Sequence, residues 1–89
     1  MTTDTPAANV TATYEKNPDV DGSWWATITG PYGPLFIRIE RNTTPWTAGY
    51  GMWSARRGSR RGGWVVTERT RAAAAVAAYK RRYIHHYAN

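Results

Sequence analysis

Residues 23–40 read Ser-Trp-Trp-Ala-Thr-Ile-Thr-Gly-Pro-Tyr-Gly-Pro-Leu-Phe-Ile-Arg-Ile-Glu, and this stretch decides the fold class. Its first part is dense in aromatic and β-branched side chains, which favour a strand. Two Gly-Pro pairs then mark a turn. In the last part apolar and other side chains alternate, so the two faces are predicted to carry Leu35, Ile37 and Ile39 on one side and Phe36, Arg38 and Glu40 on the other. The stretch therefore predicts a β-hairpin with one apolar face.

Trp24 and Trp25 are neighbours on the first strand of this hairpin. Successive side chains of a strand point to opposite faces, so one indole faces the core and the other faces away from it. The outward indole either stacks on a base or a partner surface, or packs beneath the N-terminal strand or tail. Either tryptophan fits the outward position on this pattern alone.

Further strands are predicted on both sides of the hairpin. Residues 11–16 carry β-favouring side chains and precede the turn-forming segment 17–22, Asn-Pro-Asp-Val-Asp-Gly. Residues 48–56 predict a strand that two internal glycines weaken or bulge. Residues 64–66, Trp-Val-Val, predict a short last strand.

Residues 68–86 are rich in Ala and lack Gly and Pro, which strongly favours a helix, and Thr67 is predicted as its N-cap. The inward face of this helix is expected to comprise Ala72, Ala73, Val76, Tyr79, Tyr83, Ile84 and Tyr87. The outward face is expected to comprise Arg71, Arg81, Arg82 and His85. Because short sequential connections favour a meander, the sequence predicts an α+β protein, an antiparallel β-meander of three to five strands packed against one C-terminal helix.

The chain of 89 residues suffices for one small α+β domain, which we assign to residues 10–89, and residues 1–9 are predicted to form a disordered tail. Cys is absent, so no disulfide framework or thiolate metal site is expected. The N-terminus lacks the regions of a signal peptide, and no apolar run reaches the length of a membrane span. These features predict a cytoplasmic protein that does not bind membranes. The excess of Arg over Lys, ten to two, is typical of a GC-rich genome such as that of an actinobacterium or its phage.

Charge is distributed unevenly along the chain. Residues 54–89 contain nine Lys and Arg against one acid, which is +8, whereas residues 1–53 contain three bases against five acids, which is −2; the sum is the net +6. A cationic surface binds polyanions because each neutralised phosphate releases a condensed counterion. The distribution therefore predicts a nucleic acid or an acidic protein as the partner.

Two Arg pairs dominate residues 54–64, Ser-Ala-Arg-Arg-Gly-Ser-Arg-Arg-Gly-Gly-Trp. The glycines let a backbone approach a phosphate closely, and the guanidinium groups can contact phosphates or guanine edges. An ordinary solvated loop of a basic protein has the same composition. Trp53 and Trp64 flank the arginines and form either a cross-strand aromatic pair that staples the hairpin or exposed platforms on which bases stack.

The sequence shows no catalytic set of nucleophile, base and acid. The two histidines, His85 and His86, are adjacent, and neighbouring helix positions point too far apart to chelate one ion together. The acids are scattered, and no glycine-rich phosphate-binding motif lies between a strand and a helix. We therefore expect neither an enzyme nor a metal or cofactor site.

Residues 22–29, Gly-Ser-Trp-Trp-Ala-Thr-Ile-Thr, resemble the Gly-x-Trp-x-Ala-x-Ile/Val strand of AP2-type DNA-binding domains and of the related amino-terminal arm-site domains of phage and transposon tyrosine integrases. Residues 64–67 and 72–79 resemble the last strand, the Thr cap and the Ala-rich helix of the same domains. The resemblance covers about half of the chain. It implies a three-stranded antiparallel sheet on one helix, with the sheet in the DNA major groove and its Arg and Trp side chains on bases and phosphates.

These observations predict a small basic DNA-binding module that serves as a regulatory or recombination accessory factor of a phage or mobile element. DNA is favoured over RNA. The predicted nucleic-acid-binding residues belong to the Arg-rich loop, its flanks and the helix: Arg56, Arg57, Arg60, Arg61, Trp53, Trp64, Arg69, Arg71, Arg81 and Arg82.

Two alternatives fit the same sequence. A small phage-encoded inhibitor of a host protein would use exposed Trp and Tyr side chains as anchors and the Arg loop as a guide towards an acidic partner. A homodimer, as opposed to a monomer, would form if an exposed edge strand such as residues 11–16 paired across a two-fold axis.

Overall fold

The computed structural model describes residues 2–7, 9–57 and 63–87. Six strands form one antiparallel sheet in chain order: β1 (Thr2–Ala7), β2 (Val10–Lys16), β3 (Ser23–Gly30), β4 (Gly33–Arg41), β5 (Trp53–Arg57) and β6 (Trp64–Glu68). Two helices follow, α1 (Arg71–Arg82) and the short α2 (Ile84–Tyr87). The predicted α+β meander with a C-terminal helix is confirmed, although the sheet has more strands than the expected three to five.

One face of the sheet packs against α1 and forms the core. The central part of this face carries Ile28, Leu35, Ile37 and Ile39, which are all buried, as the alternation in β4 predicts. The buried helix residues are Ala74, Ala75, Ala78 and Tyr79. Because the first three are small, the helix lies close to the sheet and the large strand side chains fill the space between the two layers.

The N-terminal residues and the first sheet edge differ from the sequence prediction. β1 occupies residues for which we expected a disordered tail, and it pairs with β2 antiparallel through partners such as Thr3 and Thr13. Strand β2 is therefore an internal strand, and the edge pairing suggested for residues 11–16 is wrong. The two edges of the sheet are β1 and β6.

The helix begins later, and with another phase, than predicted. Thr70, not Thr67, is the N-cap: its Oγ1 accepts a hydrogen bond from the Ala73 amide at 3.1 Å, while Thr67 lies in β6. Arg71 was expected on the outward face, but its guanidinium lies 4.0 Å from the centre of the Tyr14 ring on the sheet. A run of alanines does not show which side of a helix faces inwards, because all of its sides are equally apolar. Contacts with the sheet therefore set the rotation of the helix about its axis.

The end of the β3–β4 hairpin is held by Tyr79. Its hydroxyl donates to the Gly33 carbonyl and accepts from the Tyr32 amide, both at 2.9 Å. The phenol ring lies next to the backbone of Gly30, where a Cβ would stand only 2.5 Å from the ring carbon Cζ. The hairpin turn and the C-terminal half of α1 are thus fixed to each other.

A second polar contact ties the start of the helix to the sheet. The hydroxyl of the buried Tyr14 donates to Asp4 Oδ1 at 3.3 Å, and Arg71 covers the ring. Burial, followed by the negative charge of Asp4, raises the pKa of Tyr14 to about 12, and the Arg71 charge opposes this shift only in part. Tyr14 is therefore a neutral phenol throughout the physiological range.

Residues 42–52, between β4 and β5, form a hydrogen-bonded loop where we predicted the beginning of a strand. The amide of Asn42 donates to the Met52 carbonyl at 2.8 Å and the Gly51 amide donates to the Asn42 carbonyl at 2.9 Å, which closes the loop at its base. The Asn42 side chain also bonds the Thr47 hydroxyl at 2.9 Å. Gly51 has a φ of 83°, a conformation that costs little only for glycine. The strand consequently starts at Trp53.

Candidate nucleic-acid interface

The sheet face opposite α1 carries no packed element among the described residues. Its side chains come from the alternate positions of each strand, so they stand in rows that cross the sheet. One row runs from β2 to β6 through the register partners Glu15, Trp25, Arg38, Arg56 and Val65. We call this surface the open face.

Two aromatic rings lie at the centre of the open face. The rings of Trp25 on β3 and Phe36 on β4 are almost parallel, with an interplanar angle of 6° and a centroid distance of 5.9 Å. Phe36 is 66% exposed and Trp25 is 38% exposed. Trp25 is thus the outward tryptophan of the Trp24–Trp25 pair, while Trp24 packs against the core. The two rings are adjacent and form one exposed apolar patch, and such patches mark binding sites on folded domains.

Two arginines stand next to the aromatic pair. Arg38 and Arg56 are direct register partners across β4 and β5, and both project from the open face. Like charges at directly opposite positions destabilise a sheet, and the carboxylate of Glu40 beside Arg38 offsets part of this repulsion. With Trp25, Phe36 and Arg57, the two arginines line a cleft of about 270 Å³. The cleft combines aromatic surface with guanidinium groups.

Acidic side chains limit the cationic area. Arg38 Nε lies 2.6 Å from Glu40 Oε1, an ion pair between two half-buried side chains of the same strand. Trp25 has two register partners, Arg38 on β4 and Glu15 on β2, so a carboxylate flanks the indole on the side away from Arg38. Arg38 and Arg56 on the open face are thus matched in number by Glu15 and Glu40, and the positive charge is concentrated at the exposed Arg56 on β5.

The structure separates the residues that the sequence analysis grouped into one binding surface. Arg56 and Arg57 lie in the cleft, whereas Arg60 and Arg61 lie outside the described residues. Trp53 and Trp64 are half-buried, pack against the core and occupy the face that α1 covers.

Trp53 and Trp64 are also not opposite each other. The register partner of Trp53 is Glu68 and that of Trp64 is Arg57. The closest aromatic partner of Trp53 is Trp24, at a centroid distance of 5.2 Å. A cross-strand staple between Trp53 and Trp64 is therefore wrong, and both indoles contribute to the core.

The basic residues of the helix also do not extend the cleft. Arg69 is exposed in the connection before α1, and Arg71 is turned inwards onto Tyr14. Arg81 and Arg82 are exposed at the C-terminal end of α1, with the Arg82 guanidinium 4.8 Å from the centre of the Tyr83 ring. They belong to the helix layer, on the other side of the sheet from Arg38 and Arg56. Their positions suit the negative end of the helix dipole.

The sequence analysis did not name Trp25, Phe36 and Arg38 as site residues. The signal was present, because the alternation in residues 35–40 places Phe36 and Arg38 opposite the buried Leu35, Ile37 and Ile39. An exposed Phe next to an Arg on the uncovered face of a sheet is a stronger indication of binding than arginines in a loop.

The described residues contain no group of three or more His, Asp and Glu side chains placed to hold a metal ion. Across residues 2–7, 9–57 and 63–87, neither helix has the length and apolar character needed to cross a bilayer. Comparison of the chain with models of protein families, with curated proteins and with solved structures found no match.

Proposed function

We propose that this protein binds nucleic acid through the open face, with Arg38 and Arg56 on phosphates and the Trp25–Phe36 pair on bases. The observation that carries the proposal is the paired position of Arg38 and Arg56 beside two parallel, exposed aromatic rings. Guanidinium groups supply charge-assisted hydrogen bonds to phosphate, and aromatic rings supply stacking surfaces that every base can use. We further propose a role as a regulatory or recombination accessory factor, which the small size and positive charge of the chain suit.

The test is fluorescence anisotropy with a labelled mixed-sequence 20-mer, single-stranded and duplex, over a range of salt concentrations. We expect affinity to fall steeply with salt, because bound arginines displace counterions from the phosphates. The double variant Arg38→Gln/Arg56→Gln should weaken binding by about tenfold and lower the salt slope by about two. Absence of binding at low salt in the unaltered protein would refute the proposal.

Two further variants separate local contacts from net charge. Arg81→Gln/Arg82→Gln removes the same charge from the helix layer, so its effect on affinity should stay within about twofold. Glu40→Gln removes the ion partner of Arg38 and should strengthen binding. Equal losses in the two double variants would indicate a non-specific effect of net charge, with no assigned site.

A protein–protein interaction is the second candidate function, and the loop at residues 42–52 favours it. Trp46 is 86% exposed at the surface of this loop, and Tyr50 is 53% exposed. The hydrogen bonds of Asn42 and Thr47 hold the loop in one conformation, so little entropy is lost when the indole enters a partner's pocket.

We expect a protein partner, if this candidate is right, to be retained by the immobilised chain after nuclease treatment and at high salt. Trp46→Ala should abolish the retention, whereas Arg38→Gln/Arg56→Gln should leave it intact. Retention that disappears with nuclease would indicate a nucleic-acid bridge and contradict this second candidate.

A further inference from the structure

The open face differs from a surface that reads duplex DNA. The major groove is about 12 Å wide and admits a helix or a narrow β-ribbon. The aromatic pair lies on β3 and β4, which have two strands on each side in the order β1 to β6. At about 4.8 Å per strand, the sheet is about 24 Å wide, so the central strands cannot reach the floor of the groove.

The chemistry of the cleft leads to the same conclusion. Duplex DNA hides the faces of its bases and offers their edges, which are read by hydrogen-bond donors and acceptors. Phe36 has neither, and it is the most exposed side chain of the cleft's aromatic pair. An exposed ring of this kind gains most from an unpaired base, whose face is free to stack on it.

The neighbouring row of the open face supplies hydroxyl groups next to the rings. Phe36 on β4 is the register partner of Thr27 on β3, and Thr27 is in turn the register partner of Thr13 on β2. Thr27 is exposed and Thr13 is half-exposed, so both can hydrogen-bond base edges or sugars of a strand that lies across the sheet. In the row of Trp25, the guanidinium groups of Arg38 and Arg56 lie on the β5 side and Glu15 lies on the β2 side. In the row of Phe36, the two Thr hydroxyls lie on the β2 side. This order suits a flexible chain of phosphates, sugars and bases.

We infer that the ligand of the open face is single-stranded nucleic acid, with one base stacked on Phe36 and its neighbouring phosphates on Arg38 and Arg56. The inference rests on the proposed function and specifies its ligand. It departs from the major-groove binding that the resemblance to AP2-type domains implies. Sheets that bind single strands stack two or three bases in this manner.

The experiment compares three labelled 12-mers at one salt concentration: a mixed-sequence single strand, its duplex, and an abasic strand with the same number of phosphates. The unaltered protein should bind the mixed single strand at least about tenfold more tightly than the abasic strand, and more tightly than the duplex. Phe36→Leu keeps an apolar side chain but removes the ring. It should weaken binding of the mixed strand by about tenfold and leave the other two affinities within about twofold.

Trp46→Leu is the matched control, because it removes an exposed ring from the 42–52 loop and should leave all three affinities unchanged. Quenching of tryptophan fluorescence by unlabelled single strand, reduced in Trp25→Phe, gives a second readout of stacking. Tighter binding of the duplex would overturn this inference and leave the proposed function intact. Equal binding of the mixed and abasic strands would overturn this inference and the base contacts of the proposed function, and would leave only its phosphate contacts. Failure of all three probes to bind would overturn both.

Discussion

Gly30→Ala should destabilise the protein by about 3 kcal/mol and lower Tm by at least about 10 °C. The added Cβ would lie 2.5 Å from Cζ and 2.6 Å from the hydroxyl oxygen of Tyr79, well inside van der Waals contact. Tyr79 is fully buried and its hydroxyl bonds both Tyr32 and Gly33, so the ring cannot move without breaking two hydrogen bonds. Thermal and urea denaturation measure the effect.

Gly49→Ala is the control for this substitution. Its Cβ would stand 3.2 Å from Asn42 Nδ2, which has to move by only a few tenths of an ångström and can keep its hydrogen bond to Thr47, so the expected loss is below about 1 kcal/mol. If the two variants lost equal stability, the contact between Gly30 and Tyr79 would not be the cause, and the role of Tyr79 in holding the hairpin would have to be abandoned.

Stability should fall by about 2–3 kcal/mol between pH 10 and pH 12 because of Tyr14 alone. Its ordinary pKa of 10.0 applies to the unfolded chain, and burial together with Asp4 raises the pKa to about 12 in the folded protein. Between these values the folded state keeps a proton that the unfolded state loses, so alkali favours unfolding. The stabilisation is fully present below pH 10 and is lost as pH rises through the folded pKa.

Comparison with Tyr14→Phe separates the effect of Tyr14 ionisation on stability from the effects of the other tyrosines and the lysines. At pH 8 the variant lacks only a long hydrogen bond of 3.3 Å to Asp4, so the two proteins should differ by less than about 1 kcal/mol. At pH 11.5 the variant should be the more stable one, because Phe does not ionise. Parallel curves of unfolding free energy against pH would contradict the assignment.

The elements that the sequence predicted well are those with a strong local pattern. The alternation in residues 35–40 correctly assigned both faces of β4, and the Ala-rich segment correctly indicated a helix. The meander followed from short connections. The position of Trp25 on the open face required the register between strands, which the alternation within one strand does not contain.

Features that depend on tertiary contacts were missed. β1 contains Asp, Pro and Ala, which are depleted in strands, and it is stabilised by pairing with β2. The rotation of α1 about its axis depends on two contacts, one between Arg71 and Tyr14 and one between Tyr79 and Gly30. The periodicity of the helix sequence does not predict either contact. For the same reason the basic residues of the helix were wrongly grouped with those of β5.

The order of the strands also has a kinetic consequence. Every strand pairs with its neighbours in the chain, so each hairpin forms by closing a short loop at a small entropic cost. Topologies dominated by such local pairing fold faster than β-sandwiches and barrels of equal size. A contact between distant parts of the chain joins α1 to β2 and β1 through Arg71, Tyr14 and Asp4, and it forms only after the helix has been made. The sheet can therefore assemble strand by strand, while its apolar face stays uncovered until α1 has formed.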